Sequence, residues 1–131
     1  MKVPAELVGA RVTGTAFDHR VRISFTDHGP DGRIRVDGEL VIETPFTLTD
    51  ASGHQALLTP AIGTSLAPLL GLFAGVVTET EVTGQGALSL GFNDGTRLHV
   101  KPDPDYESWN LTGAGIDPIL VGPGGETDRQ H

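Results

Sequence analysis

The chain has 131 residues, nine Lys and Arg against 17 Asp and Glu, a net charge of −8 at neutral pH, and no cysteine. That length suits one domain with a real core, and the missing cysteine excludes a disulfide scaffold, a thiolate metal site and a cysteine nucleophile. The acidic balance argues against a nucleic-acid binder, which needs cations to displace phosphate counterions.

Met1-Lys2-Val3-Pro4 leads to Glu6 with no apolar stretch behind the lysine, so no secretory signal is expected. A first strand is predicted at Val8–Phe17. Arg20–Phe25 then alternates polar and apolar, which puts Val21, Ile23 and Phe25 on one face. Gly32–Asp37 repeats the pattern with Ile34 and Val36 inward, and the turn formers between Thr26 and Asp31 make the two runs a hairpin. Alternation this strict implies one solvated face, the habit of antiparallel sheets.

The outward face of that hairpin carries Arg20, Arg22, Arg33 and Arg35, with Arg11 alongside. Adjacent like charges repel unless acids intervene. Asp18, Asp37, Glu39 and Glu43 can supply those acids, so the arginines are read either as internally paired or as a dock for an acidic or phosphate-bearing partner.

Strands follow at Glu39–Leu48 and Gln55–Leu58. Between Asp50 and Glu79 lie 28 residues without Lys, Arg, Asp or Glu. Within them a helix is predicted at Leu66–Phe73, capped by Thr64 or Ser65, with Pro68 in its first turn and Gly75 past its end. Leu66, Leu69, Leu70 and Phe73 would form its apolar face. The longest apolar run, Leu66 to Val77, has 12 residues, short of the ~18 of a membrane span. The uncharged segment is read as a helix across the mouth of a sheet or as a surface for self-association or a protein partner.

Later strands are predicted at Val76–Val82, Ala87–Phe92, Thr96–Lys101, Glu107–Thr112 and Ile119–Val121. Asn93-Asp94-Gly95 makes a second hairpin, with Leu88, Leu90, Phe92, Leu98 and Val100 on one face. The expected fold is mainly β: an antiparallel β-sandwich or half-closed barrel built from two hairpin units with one short helix. Residues 1–126 form one β-rich domain in this reading, and the polar tail 127–131 is expected to fray.

Sites for chemistry are sparse. Among the five histidines (19, 28, 54, 99, 131) none stands three to five residues from another, so no local metal pair exists. Counting a calcium loop from Asp27 puts Gly29 and Gly38 at ligand positions, and the match fails. No nucleophile elbow and no phosphate loop occur, and no cofactor or metal is implied. Asp103, Asp105 and Glu107 alternate with Pro102 and Pro104 as a solvated linker; an enzyme would need one of them to meet a histidine such as His99 in a cleft. Tyr106-Glu107-Ser108-Trp109 holds the only Tyr and the only Trp. Tyr106, Glu107 and Trp109 are candidate binding residues, with core packing the alternative for either aromatic.

The second half resembles a small actinobacterial family of uncharacterised proteins. The likeness rests on the order of a leucine-rich helix, Leu66–Phe73, then Gly75–Val77, Phe92–Gly95, Leu98–Val100, the Asp-Tyr-Glu-Ser-Trp run Asp105–Trp109 and Pro123–Glu126. It implies a β-rich fold and a bacterial cytosolic setting, but no activity. The expected function is a non-catalytic binding module, accessory or immunity-like, in the cytoplasm. It would meet a protein partner or a second copy through residues 51–78, without nucleic acid or membrane. The alternatives are a small-molecule carrier with its ligand beneath Leu66–Phe73, and a hydrolase using Asp or Glu with His.

Overall fold

The computed structural model describes residues 4–125 and 127–129. The period-two stretches become strands: β1 (Arg11–Phe17), β2 (Val21–His28), β3 (Ile34–Ile42), β4 (Phe46–Thr49), β5 (Gln55–Leu58), β6 (Val77–Val82), β7 (Leu88–Phe92), β8 (Arg97–Val100), β9 (Trp109–Ala114), β10 (Ile119–Val121) and β11 (Thr127–Arg129). They pair antiparallel in a six-stranded sheet ordered β1-β2-β3-β9-β10-β11 and a five-stranded sheet ordered β5-β4-β8-β7-β6. Neither sheet closes on itself. The expected mainly-β fold is present as the sandwich, not the half-closed barrel.

Inward side chains of both sheets merge into one core. Val21, Ile23 and Phe25 of β2, Leu90 of β7 and Leu98 and Val100 of β8 are wholly buried and belong to the same cluster as Trp109 and Leu111 of β9. The chain passes between sheets at residues 43–45 and 101–108, where Glu43 N–H donates to Ser108 O at 2.8 Å. At another edge, Gly9 and Val12 donate to the carbonyls of Val77 and Gly75, and Val77 and Ala74 donate back to Ala10 and Val12. These bonds stitch the start of β1 to the approach to β6.

Four expectations need correction. The strand predicted at Glu39–Leu48 is two strands, because the chain changes sheets around Pro45, which has no N–H to give a ladder. Ile34 was placed inward but is 56% exposed. In the β2–β3 register Asp27 faces Val36 and His28 faces Ile34, so Arg35 is an extra, bulged residue that breaks the alternation. Thr127–Arg129 pairs with β10 and adds an edge strand where fraying was expected; residues 130–131 of that tail, like Glu126 of the motif, lie outside the described residues.

The fourth correction concerns the helix. Gly63–Leu72 is a 3-10 helix, and its N-cap residue is Ile62, with no side-chain cap. Ser65 turns its hydroxyl back to Ile62 O and Thr59 O instead. At three residues per turn the buried face is Leu66, Leu69 and Leu72, not the α-helical set. Leu70 and Phe73 are therefore left 64% and 66% exposed. Ala74, with φ of 68°, turns the chain out one residue before Gly75.

Candidate functional site

The four hairpin arginines do not share one face. Arg20 directly precedes β2 and Arg33 directly precedes β3, both exposed in bends. Arg22, on the sheet, pairs with Glu39 at 2.9 Å. Arg33 lies 3.7 Å from Asp31. The bulge aims Arg35 at Asp27, 2.6 Å away, and lets it donate to Glu6 O and Val8 O at 2.7 and 3.0 Å. Arg35 thus clamps the short 3-10 turn Ala5–Leu7 onto the sheet. Its hydrogen bond also holds the Asp27 carboxyl below the usual carboxylate range. Asp18 is lowered in the same direction by the backbone N–H of Arg20.

The Tyr106 loop separates its two aromatics. Trp109 is 1% exposed and donates from Nε1 to Gly86 O at 2.9 Å, so it belongs to the core. Gly86, at φ of 81°, packs against Gly125 O and Val121 where a side chain would collide. Tyr106 is 73% exposed and Glu107 is exposed beside it. Asp103 accepts the N–H groups of Asp105 and Tyr106 at 2.8 and 3.1 Å, so this carboxylate shapes its own turn.

The 3-10 helix fills the space under itself with Leu66, Leu69 and Leu72, which occupies the mouth where a carried ligand was expected. Its outer side is a different matter. Ile62, Leu70 and Phe73 are each more than half exposed, and Phe17, 50% exposed at the end of β1, lies against Gly63. All but Phe17 fall in the 28-residue stretch without formal charge. Next to Pro68 and Gly71 a cavity of about 390 Å³ is lined also by Asp50, His54, Ala56 and Asp94. The Asp50 carboxyl is held low chiefly by the Ser52 hydroxyl and then by the His54 N–H, so this hollow is acidic.

A second surface lies on the outer face of the five-stranded sheet. Direct register partners form one row across all five strands: Leu57, Thr47, His99, Ser89, Glu81. Ser89 Oγ sits 2.9 Å from His99 Nδ1. In the neighbouring row Arg97 reaches over Gly91, where a Cβ would crowd it, to pair with Glu79 at 2.9 Å. His99 and Lys101 together line two hollows, of about 330 Å³ and 690 Å³. A Ser–His contact is half of a nucleophile–base arrangement, but among the described residues no carboxylate bonds the second ring nitrogen to orient it.

Reading the sequence singled out the uncharged segment but missed Phe17 and the Ser89–His99 row. The row was within reach: a tight turn at 93–95 fixes a register in which 89 faces 99. Among the described residues no cluster of three or more His, Asp or Glu could hold a metal, and no helix is long and apolar enough to cross a membrane.

Comparison with known families matches residues 3–129 to a family of unknown function (DUF6188). No curated protein and no solved structure matches the chain.

Proposed function

The chain belongs to this family of unknown function, whose description supplies no activity, and we propose that it is a non-catalytic module that binds a basic protein partner through the surface around Gly63–Leu72. The observation that carries the reading is that Phe17, Ile62, Leu70 and Phe73, on or beside this helix, are each at least half exposed. Large apolar groups left in water within and beside an uncharged stretch are the mark of a docking surface. Charge indicates the partner's sign. Residues after position 40 hold all of the net −8, and the hollow beside the patch presents Asp50 and Asp94 without a Lys or Arg. A partner with apolar anchors and flanking cations complements both. An accessory or immunity-like role in an actinobacterial cytoplasm, the setting suggested by the motif resemblance, agrees with such a surface.

The test compares wild type with Leu70→Glu/Phe73→Glu in pull-downs from a native lysate at low and moderate salt. Both positions are exposed, so the unfolding midpoint should move little, by less than ~0.5 kcal/mol each. A basic protein that is held by wild type and by Tyr106→Ser, and lost by the double variant, supports the proposal. No specific partner at low salt, or one indifferent to the double variant, overturns it. A dimer in sedimentation that the double variant abolishes would assign the patch to a second copy and overturn the basic partner.

A further inference from the structure

We propose that the outer face of the five-stranded sheet binds a small organic acid: a single carboxylate on an apolar body, seated in the hollow between β5 and Lys101. This site lies apart from the 3-10 surface and stands independently of the partner reading.

The hollow has a volume of about 330 Å³, the size that suits a small ligand of roughly ten to fifteen heavy atoms. Its walls divide by chemistry. Leu57, which is 65% exposed, and Pro45 offer apolar contact, while Thr47 and Gln55 offer a hydroxyl and an amide. His99 and Lys101 close the remaining side.

The charges select the ligand's head. This face carries two cations, Arg97 and Lys101. Arg97 is neutralised by Glu79, whereas no carboxylate among the described residues lies within ion-pair distance of Lys101. In a chain of net −8, an ammonium left unpaired at the rim of a hollow is a ready counter-ion for an acid. One free cation matches one negative charge. A phosphate dianion would need more positive groups than the single ammonium that lines this hollow.

Ser89 completes the arrangement by holding the imidazole. Ser89 Oγ lies 2.9 Å from His99 Nδ1; in the proposed site the hydroxyl donates to Nδ1, which leaves Nε2 to carry a proton toward the ligand. Nε2–H has no protein acceptor among the described residues and is free to donate to a carboxylate oxygen beside the Lys101 ammonium. Ser89 acts here as a positioning residue.

The site is tested by amide NMR titration of the full chain with 4-phenylbutyrate, its neutral amide 4-phenylbutanamide, and inorganic phosphate. Saturable shifts centred on Thr47, Gln55, Leu57, His99 and Lys101 are expected with the carboxylate and not with the amide. Lys101→Ala should weaken binding about tenfold, the scale of a lost charge-assisted bond, and Lys101→Arg should retain it. Ring nitrogen shifts should show the Nε2–H tautomer of His99 in wild type, and Ser89→Ala should lower affinity while releasing that tautomer preference. Equal binding of the amide, tighter binding of phosphate, no saturable shift, an unchanged Lys101→Ala titration, or an Nδ1–H tautomer each overturns the proposal.

Discussion

Arg35 reaches Asp27 and two backbone carbonyls because one extra residue in β3 swings its side chain out of the sheet's alternation. The guanidinium favours the charged carboxylate, so the Asp27 pKa lies below its ordinary 3.8. A group lowered in the folded state contributes stability that is present above the unfolded pKa and is lost as pH falls through the folded one. Asp27→Asn should therefore be less stable than wild type at pH 6, and the gap between their urea midpoints should shrink as pH falls below 3.8. A gap that stays constant down to pH 2 would remove the ion pair from the account. Of the acids the sequence offered, Glu39 pairs with Arg22, but Asp27 and Asp31 were not among them, and the bulge that brings Arg35 to Asp27 was not legible. Alternation predicts where a regular strand points its side chains, and a bulge is the insertion that changes the count.

At the scale of elements, the 3-10 helix shows where periodicity misleads. The run contains Leu66, Leu69, Leu70, Leu72 and Phe73, so it satisfies a period of 3.6 through one subset and a period of three through another. The structure takes the second, and Pro68 inside the segment withholds an N–H from any continuous hydrogen-bond ladder. Two substitutions of the same size separate the readings. Leu72→Ala should cost about 2–5 kcal/mol in denaturant unfolding, while Leu70→Ala should stay within about 0.5 kcal/mol of wild type. The reverse order, a large loss at Leu70 and little at Leu72, would mean an α-helical face. The hairpins were easier to read. In β7 and β8 alternation and the Asn93-Asp94-Gly95 turn agree, and the same agreement fixes the His99 row. The patch was legible only in part: the absence of charge marked its segment, but which leucines face outward depends on the turn angle per residue.

For the whole molecule, the sandwich is held by partners far apart in sequence. β3 pairs with β9, so that Ile42 meets Trp109 and Asp37 meets Ala114. Refolding after a jump out of urea should accordingly take milliseconds to seconds, on the order seen for all-β sandwiches, and not the microseconds of helical bundles. A microsecond main phase in stopped or continuous flow would contradict a rate set by that pairing.

The same sheet order has a meaning for the chain as it is being made. β1, β2 and β3 leave the ribosome as a ready meander, yet the strand that covers β3 comes only at residues 109–114. Until then β3 stands as an open edge, with the N–H and C=O groups on its β9 side unclaimed, the kind of edge that recruits strands from other chains. The most hazardous moment for this protein is thus its own synthesis, when its most central strand is its most exposed one.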